Sequence, residues 1–282
     1  MGFFSNNIRV THIKIQCAKY LYYLTKIFIR ENKKIITRHD LKFEVDLNEG
    51  IDFNLYLSGN YQKHIYENRL LNIPEDAVIF DIGANSGVMS LFFSKKVKKG
   101  FVYSFEPTHY AFEKLKRNVD LNPELSKRIV LTQCFVSSSS EHEPDLKAYS
   151  SWPLTKDDSS HNIHNGVIKS ASGVHSITID EFCKDNRIEN VGIIKIDTDG
   201  HELDVLKGAK ETINKNKPGI IFEVGIYLLE ERSISFIDFI NFFTDLNYKI
   251  FTLKNREISK DNFTKYIPRL GTADIIALPN KK

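Results

Sequence analysis

Two glycines spaced four residues apart follow a short apolar run and form the stretch with the clearest chemical potential. The run 78–82 contains one carboxylate, Asp81, and an apolar helical period begins at Val88. Between them lie Gly83, Ala84, Asn85, Ser86 and Gly87. This order predicts a strand, a tight turn and a helix. Glycine lets backbone approach a ligand closely, and free N–H groups at a helix start favour a carboxylate or phosphate.

A second carboxylate, Glu106, ends the next predicted strand at 101–105 and lies 25 residues beyond Asp81. If the two strands are parallel neighbours, both carboxylates lie at one edge of the sheet, where Glu106 can accept hydrogen bonds from ribose hydroxyls. The spacing G-x-x-x-G differs from the G-x-G-x-x-G that fits a pyrophosphate, so a dinucleotide is the weaker interpretation. S-adenosylmethionine fits better, because it has a ribose and an amino-acid end but no phosphate.

Three further carboxylates and a histidine follow later predicted strands. Asp197 ends one buried apolar run, Asp199 and His201 lie in the turn after it, and Glu223 ends another run. The carboxyl ends of strands in open α/β sheets converge where ligands bind. A carboxylate or a histidine there can take the proton of a hydroxyl during in-line methyl transfer. Each acid alone is equally well explained as a helix cap or ion-pair partner, whereas the cluster favours a site.

The N-terminal part of the chain is strongly basic. Residues 1–38 hold eight Lys or Arg against one acid, whereas the rest of the chain holds 31 basic and 35 acidic side chains. This distribution favours an anionic surface or partner for the arm and argues against a body that binds nucleic acid. Residues 12–34 have amphipathic helical spacing, which predicts either packing on the body or a second subunit, or contact with anionic lipid.

The three cysteines are far apart, which favours no disulfide framework and a reducing cytoplasm. No stretch has the length of uncharged apolar sequence that a membrane span needs. We therefore predict a cytoplasmic protein, with peripheral membrane contact through the N-terminal helix as the alternative.

The remaining pattern predicts the fold. Seven strands interleaved with helices indicate an α/β, doubly wound, Rossmann-like sheet over residues 73–282. Residues 1–72 form an extension with the helix and a lid-like hairpin, whose strands at 41–45 and 53–57 flank a turn at 48–50. The serine-rich stretch 137–175 interrupts the pattern as a long loop, which either closes over the substrate or is disordered.

Taken together, the motifs at 78–87, 105–107 and 194–208 resemble the FkbM-type family of S-adenosylmethionine-dependent methyltransferases. The resemblance covers about residues 41–225, and the last motif, IKIDTDGHELDVLKG, is its most specific part. It implies the seven-stranded class I methyltransferase fold and methylation of a hydroxyl oxygen on a sugar or other small molecule. On this pattern Asp81 and the residues Gly83 to Gly87 shape the cofactor loop, Glu106 binds the ribose and Phe135 forms the adenine wall.

Tyr61 is similar to the tyrosine of the family's G-x-Y-E element, although Gln62 stands where Glu is usual, and Asp199 likewise replaces a usual Glu. Both replacements keep a hydrogen-bonding group, so they bear on the substrate more than on activity. The same three acids, Asp197, Asp199 and Glu223, could instead hold Mg²⁺. Metal-dependent relatives are expected to carry adjacent acids after the fifth strand, so we predict metal-free base catalysis by Asp197, Asp199 or His201.

Two other functions remain as alternatives. A nucleic-acid methyltransferase is the first, although an amino-group methylase is expected to resemble the pattern of Asp or Asn followed by Pro-Pro-aromatic, and 197–200 reads Asp-Thr-Asp-Gly instead. A module that binds the cofactor without turnover is the other alternative, although neither the glycine loop nor the acids look degraded.

Overall fold

The computed structural model describes residues 11–27, 29, 31–140, 148–155 and 166–280. Its helices α1 to α12 are Thr11–Lys26, Gly50–Ser58, Lys63–Tyr66, Val88–Lys96, His109–Asp120, Pro123–Ser126, Ile179–Asp185, Glu202–Lys207, Lys210–Asn216, Ile226–Glu231, Phe236–Asp245 and Phe263–Tyr266. Its strands β1 to β14 are Lys33–Arg38, Leu41–Asp46, Val78–Ile82, Phe101–Phe105, Ile129–Thr132, Phe135–Val136, Ala148–Ser151, Val167–Lys169, Ser176–Ile177, Val191–Ile196, Gly219–Gly225, Tyr248–Thr252, Glu257–Ile258 and Thr272–Pro279.

The central sheet has eight strands in the order β13-β12-β14-β11-β10-β3-β4-β5. The strands from β11 to β5 run parallel, and β14 lies antiparallel between β11 and β12. In the sheet, β4 lies on one side of β3 and β10 on the other. After β5 the chain crosses to the β10 side, so the direction in which strands are added reverses between β3 and β10. Open α/β sheets bind ligands at such a reversal. The predicted doubly wound sheet is confirmed, with the short edge strand β13 making eight strands instead of seven.

Apolar clusters cover both faces of this sheet. Alternate residues of β3 point to opposite faces, and Phe80 and Ile79 accordingly belong to different clusters. The Phe80 cluster contains residues of α7, α8, α9 and α11. The Ile79 cluster contains residues of β2, α2, α4 and α5. The N-terminal elements therefore share a core with the helices that follow β3 and β4.

The predicted hairpin at 41–45 and 53–57 is wrong. Strand β2 pairs antiparallel with β1, and 50–58 forms α2. The turn between β1 and β2 contains His39 and Asp40, both with positive φ, which is not one of the usual Asn-Gly or Asp-Gly signals. Helix α2 ends at Gly59, which has a φ of 65° and donates its N–H to Leu55 O, as left-handed glycine caps do.

The predicted helix over 12–34 is shorter in the structure, because α1 ends at Lys26 and the chain enters β1 at Lys33. Tyr22 on its inner side is buried and Leu21 half-buried, while its outer side leaves Tyr20, Tyr23 and Leu24 exposed, as is Ile27 directly after the helix. Within the described residues, none of the helices combines the length and apolar character that crossing a bilayer requires.

The stretch 137–175 is more regular than predicted. Its described parts contain β7 and β8, which pair antiparallel, and β6 pairs parallel with β9. Directly before this stretch, β5 and β6 are consecutive strands that belong to different sheets. Residues 141–147 and 156–165 of this stretch lie outside the described residues, so its closure over a substrate stays a prediction.

Candidate active site

The turn after β3 brings the ends of three strands together. Gly83 has a φ of 74°, and a Cβ on it would lie 1.8 Å from the backbone oxygen of Asp197 at the end of β10. Its N–H and that of Ala84 donate to Phe105 O of β4, at 3.0 and 2.9 Å. Only glycine fits both this conformation and this contact.

The rest of the glycine loop is held by its own hydrogen bonds and by α5. Asn85 Oδ1 accepts from the Ser86 N–H at 2.8 Å, and Ser86 O accepts from Asn118 Nδ2 at 2.8 Å. A Cβ on Gly87 would lie 2.4 Å from Leu115 Cδ1. These contacts hold the loop in place, and Gly83 is the loop residue that lines the cleft. The part of the loop in binding a cofactor stays a prediction.

Glu106 is a buried carboxylate whose two oxygens both accept hydrogen bonds from the protein. Oε1 accepts from the Thr108 N–H at 3.0 Å and from Thr108 Oγ1 at 2.6 Å, and Oε2 accepts from the Asn85 N–H at 3.0 Å. Burial raises the pKa of Glu106, while the Thr108 and Asn85 hydrogen bonds oppose this rise. The loop and the carboxylate thus fix one another, and Glu106 lines the cleft.

Asp81 lies beneath the cleft and not in its wall. Its Oδ2 accepts from Ser90 Oγ at 2.6 Å, and Oδ1 lies 3.2 Å from Lys195 Nζ. Lys195 also donates to Gly83 O at 3.0 Å and approaches Asp197 Oδ2 at 3.5 Å. Burial alone would lower the pKa of Lys195, but the charges of Asp81 and Asp197 outweigh it and raise the pKa.

Lys195 was missed by the sequence analysis, although a signal was present. A lysine within the buried apolar run Ile194-Lys195-Ile196 requires a buried carboxylate partner, and parallel pairing of β10 with β3 places Asp81 opposite it.

The cleft opens at the carboxyl ends of β3, β4 and β10 and encloses ≈ 510 Å³ including its mouth. Phe135 lines it, as expected for an adenine wall, together with Tyr149 of β7. The full lining is Ile82, Gly83, Phe105, Glu106, Pro107, Cys134, Phe135, Val136, Ala148, Tyr149, Asp197, Thr198, Asp199 and His201. The structure therefore gathers three of the four predicted catalytic residues in one wall, and Glu223 is the exception.

Asp199 has the properties expected of a general base. Its backbone is left-handed, with a φ of 49°. Burial, followed by the charges of Asp197 and Glu202, raises the pKa of Asp199 well above its usual value. A carboxylate with a raised pKa is a stronger proton acceptor and is common at catalytic sites.

Glu202 holds the turn that carries Asp199 and was also missed by the sequence analysis. Its Oε1 accepts from the Thr198 N–H at 3.0 Å, from Thr198 Oγ1 at 3.1 Å and from the Gly200 N–H at 3.1 Å. The detectable signal is a glutamate at the first residue of α8, four residues after Thr198, because acids at a helix start accept from free N–H groups.

His201 is engaged by an arginine. Its Nε2 lies 2.8 Å from Arg232 Nη1, and Arg232 Nη2 donates to Asp204 Oδ2 at 3.2 Å. Arg232 can only donate, so Nε2 accepts and the imidazole is neutral. Burial and the Arg232 charge lower the pKa of His201 to about 4. His201 as the base stays a prediction, and this arrangement favours a carboxylate.

Glu223 and Tyr61 lie in a second group of side chains behind the cleft wall. Glu223 faces Asp274 across the β11–β14 pair, and burial with the charges of Asp197 and Asp274 raises the pKa of Glu223 well above its usual value. Burial and the charges of Asp197 and Glu223 raise the pKa of Tyr61. His64 Nε2 lies 2.9 Å from Asp274 Oδ2. Within the described ranges, no three His, Cys, Asp or Glu side chains are placed to hold a metal ion.

Relatives are known for a large part of the chain. It is 27% identical over 177 residues to Methyltransferase sdnD of Sordaria araneosa, covering 54% of this chain and 66% of that protein. It is 28% identical over 137 residues to the hexuronic acid methyltransferase AglP of Haloferax volcanii, covering 48% of this chain and 50% of that protein. The chain thus spans about half to two thirds of the length of the curated relatives it matches.

Among solved structures, the crystal structure of Methyltransferase FkbM from Methylobacillus flagellatus KT superimposes with a TM-score of 0.50. The two chains are 18% identical, and the match covers 75% of this chain and 46% of that one. At this identity the likeness concerns the fold.

A doubly wound sheet whose glycine turn, Glu106 and acidic β10 turn meet at the strand-order reversal has the architecture of a class I methyltransferase domain. Residues 81–250 match the family described as Methyltransferase FkbM domain, and the chain belongs to that family. The predicted family is confirmed, with a methyltransferase domain over the matched residues, and S-adenosylmethionine is the cofactor predicted for it.

The residues present fit this cofactor. Gly83 lines the cleft without a side chain, so a ligand can come close to its backbone. Glu106 Oε2 accepts one hydrogen bond and keeps a lone pair free for a ribose hydroxyl, whereas Thr108 occupies both lone pairs of Oε1. Apolar walls from Phe135 and Val136 suit a purine ring.

Proposed function

We propose that this protein methylates a hydroxyl oxygen of a small molecule or a sugar, with Asp199 as the group that accepts the hydroxyl proton. When bound, S-adenosylmethionine supplies an electrophilic methyl group. The observation that carries the proposal is the position of Asp199 in the wall of the cleft, with a raised pKa and, among the described residues, no ion pair to a Lys or Arg.

The roles of the other residues follow from their contacts. Glu106 and the glycine loop bind and orient the cofactor, while Lys195 holds the ends of β3 and β10 together through Asp81 and Asp197. Glu202 keeps Asp199 in its turn. Positioning of this kind contributes a large part of the barrier reduction in a two-substrate reaction.

The charge around Asp199 bears on the acceptor. Burial is the first cause of the raised pKa values of Asp199 and Glu223, and the charge of Asp197 raises both further. An additional negative charge in the cleft would meet the same repulsion. We therefore favour a neutral acceptor over an anionic one such as a uronic acid, although the relative from Haloferax volcanii is named a hexuronic acid methyltransferase. A nucleic-acid acceptor, which carries many phosphates, is disfavoured for the same reason.

The proposal is tested first through the cofactor. Calorimetric titration with S-adenosylhomocysteine should give micromolar affinity or better, and Glu106→Ala should weaken it about tenfold, or ~1.4 kcal/mol, for a lost carboxylate–ribose contact. Glu44→Ala is the matched control, because Glu44 pairs with Arg117 outside the cleft. Equal affinity in Glu106→Ala and parent would place the cofactor elsewhere.

The acceptor is tested by transfer of a labelled methyl group to a panel of neutral sugars and the matching uronic acids. We expect labelled methyl ethers of neutral sugars. Cofactor binding without transfer to any acceptor would favour a module that binds and does not turn over, and labelling of the uronic acids alone would overturn the charge argument.

A further inference from the structure

One wall of the cleft comes from a part of the chain that is fastened by the N-terminal extension. Ala148 and Tyr149 of β7 line the cleft. Directly after them, Ser151 and Trp152 contact the turn that precedes α2, about a hundred residues earlier in the chain.

The contacts converge on a single carboxylate, Glu49. Its Oε1 accepts from Ser151 Oγ at 2.8 Å and from Tyr110 Oη at 3.2 Å. Its Oε2 accepts from the Trp152 N–H at 2.8 Å. Three donors from two other parts of the chain thus meet on one side chain, and hydrogen bonds to a carboxylate are about twice as strong as neutral ones.

Backbone hydrogen bonds extend the connection on both sides of Glu49. The Gly50 N–H donates to Trp152 O at 2.8 Å, and the Leu154 N–H donates to Asn48 O at 2.7 Å. Leu154 is buried in the same apolar cluster as α2 and α4. The segment 148–155 is therefore attached to the extension at several points, with the carboxylate in the middle.

We propose that Glu49 is a positioning residue for the methyl-transfer cleft, which it serves by holding Ser151 and Trp152 so that Tyr149 completes the cleft wall. The inference rests on the proposed function, because it takes this cleft to hold the cofactor and the acceptor. Glu49 does not line the cleft, so its effect must pass through β7.

The amide of Gln can replace all three contacts. Its oxygen can accept from the Trp152 N–H, while its NH₂ can donate to the hydroxyls of Ser151 and Tyr110, since hydroxyls both donate and accept. Glu49→Gln is therefore the conservative variant, whereas Glu49→Ala removes every contact.

The experiment measures the affinity for S-adenosylhomocysteine by calorimetry and the thermal midpoint of each variant. We expect Glu49→Ala to raise the dissociation constant about tenfold and Glu49→Gln to stay within about threefold of the parent. Glu44→Ala, which removes another carboxylate of the extension, should bind like the parent. A lower thermal midpoint with unchanged affinity in Glu49→Ala would show a purely structural role and overturn the inference.

A double-mutant cycle tests the route through Tyr149. If Glu49 acts through this residue, Tyr149→Ala alone weakens binding, and adding Glu49→Ala weakens it no further. Additive losses would overturn the proposed route. If Glu49→Ala does not fold, Ser151→Ala removes one of the three donors and is used in the same cycle. Failure of the parent to bind S-adenosylhomocysteine would count against the proposed function, whereas equal binding by the parent and Glu49→Ala would count against this inference alone.

Discussion

At the scale of single residues, the assignment of the general base is a choice between Asp199 and His201, whose pKa values are shifted in opposite directions. Burial and neighbouring carboxylates raise the pKa of Asp199, whereas burial and Arg232 lower the pKa of His201 to about 4. A base must be deprotonated to act, and kcat/KM reports the ionisations of the free enzyme. The pH profile of kcat/KM should therefore have a rising limb, in which the activity increases as the base loses its proton. The pH of this limb shows which of the two groups is the base.

We expect this limb to lie well above the usual carboxylate pKa and to disappear in Asp199→Asn, with kcat reduced about 100-fold and the affinity for S-adenosylhomocysteine nearly unchanged. His201→Ala should keep the limb. The measurement is the pH profile of kcat/KM for each variant with an acceptor found by the panel. A limb near pH 4 that is lost in His201→Ala would instead assign the base to His201.

The sequence identified the residues whose chemistry is visible in their type and position. Gly83, Glu106 and Asp199 each follow an apolar run, and all three line the cleft. Lys195 and Glu49 were missed because their importance lies in partners far along the chain. Glu49 meets residues 102 and 103 positions away, and no local pattern specifies such a contact.

At the scale of elements, helix α2 is joined to α5 by a buried ion pair between Asp52 and Lys114. Asp52 Oδ2 also accepts from the Asp46 N–H at 2.5 Å. Burial raises the pKa of Asp52, against the opposing charge of Lys114, so desolvation outweighs the attraction. Removal of one partner nevertheless leaves an unpaired buried charge, which is costly.

We expect Asp52→Ala to lower the free energy of unfolding by about 3–5 kcal/mol, whereas Asp52→Leu combined with Lys114→Met costs far less or stabilises. Urea unfolding followed by circular dichroism measures both. Lys98→Ala is the surface control, because its ion pair with Glu75 is exposed and exposed pairs contribute about 0–1 kcal/mol. If the single and double variants lose equal stability, the unpaired charge is not the cause.

The elements that the sequence predicted well are the buried parallel strands. Strands β3, β10 and β11 are apolar runs bounded by glycines or acids, and such runs have few alternatives in an α/β pattern. The extension was predicted poorly because propensity competes with tertiary packing there. Phe53 and Leu55 alternate like a strand, yet they are buried within a helix that Gly59 terminates.

At the scale of the whole molecule, the boundary predicted at residues 72 and 73 separates elements that share a core. Phe43 and Phe53 belong to the same apolar cluster as Val88 and Leu91 of α4. The division of the chain at this boundary stays a prediction, and the shared cluster argues for testing the arm by substitution and not by deletion.

The outer side of α1 is the surface on which such substitutions are informative. Tyr20, Tyr23, Leu24 and Ile27 follow helical i, i+3, i+4, i+7 spacing and are 66, 60, 42 and 73% exposed. Helix α1 carries three lysines and no acid, so symmetric pairing of two copies through this side would bring like charges together. Of the two predicted partners, the charge therefore favours an anionic lipid surface, where apolar side chains enter the interface and lysines remain near the head groups.

We expect the protein to sediment with phosphatidylcholine vesicles that contain phosphatidylglycerol, less so at high salt, and not with phosphatidylcholine alone. Leu24→Ser with Ile27→Ser should weaken this binding at least about tenfold, because burial of each side chain contributes about 1.5–3 kcal/mol. Val130→Ser with Ile168→Ser is the matched control, since these apolar side chains are 39 and 42% exposed elsewhere on the molecule. Equal sedimentation of the Leu24 and Ile27 variant would remove α1 from any lipid contact. A dimer in solution that only this variant dissociates would instead identify a second subunit as the partner of α1.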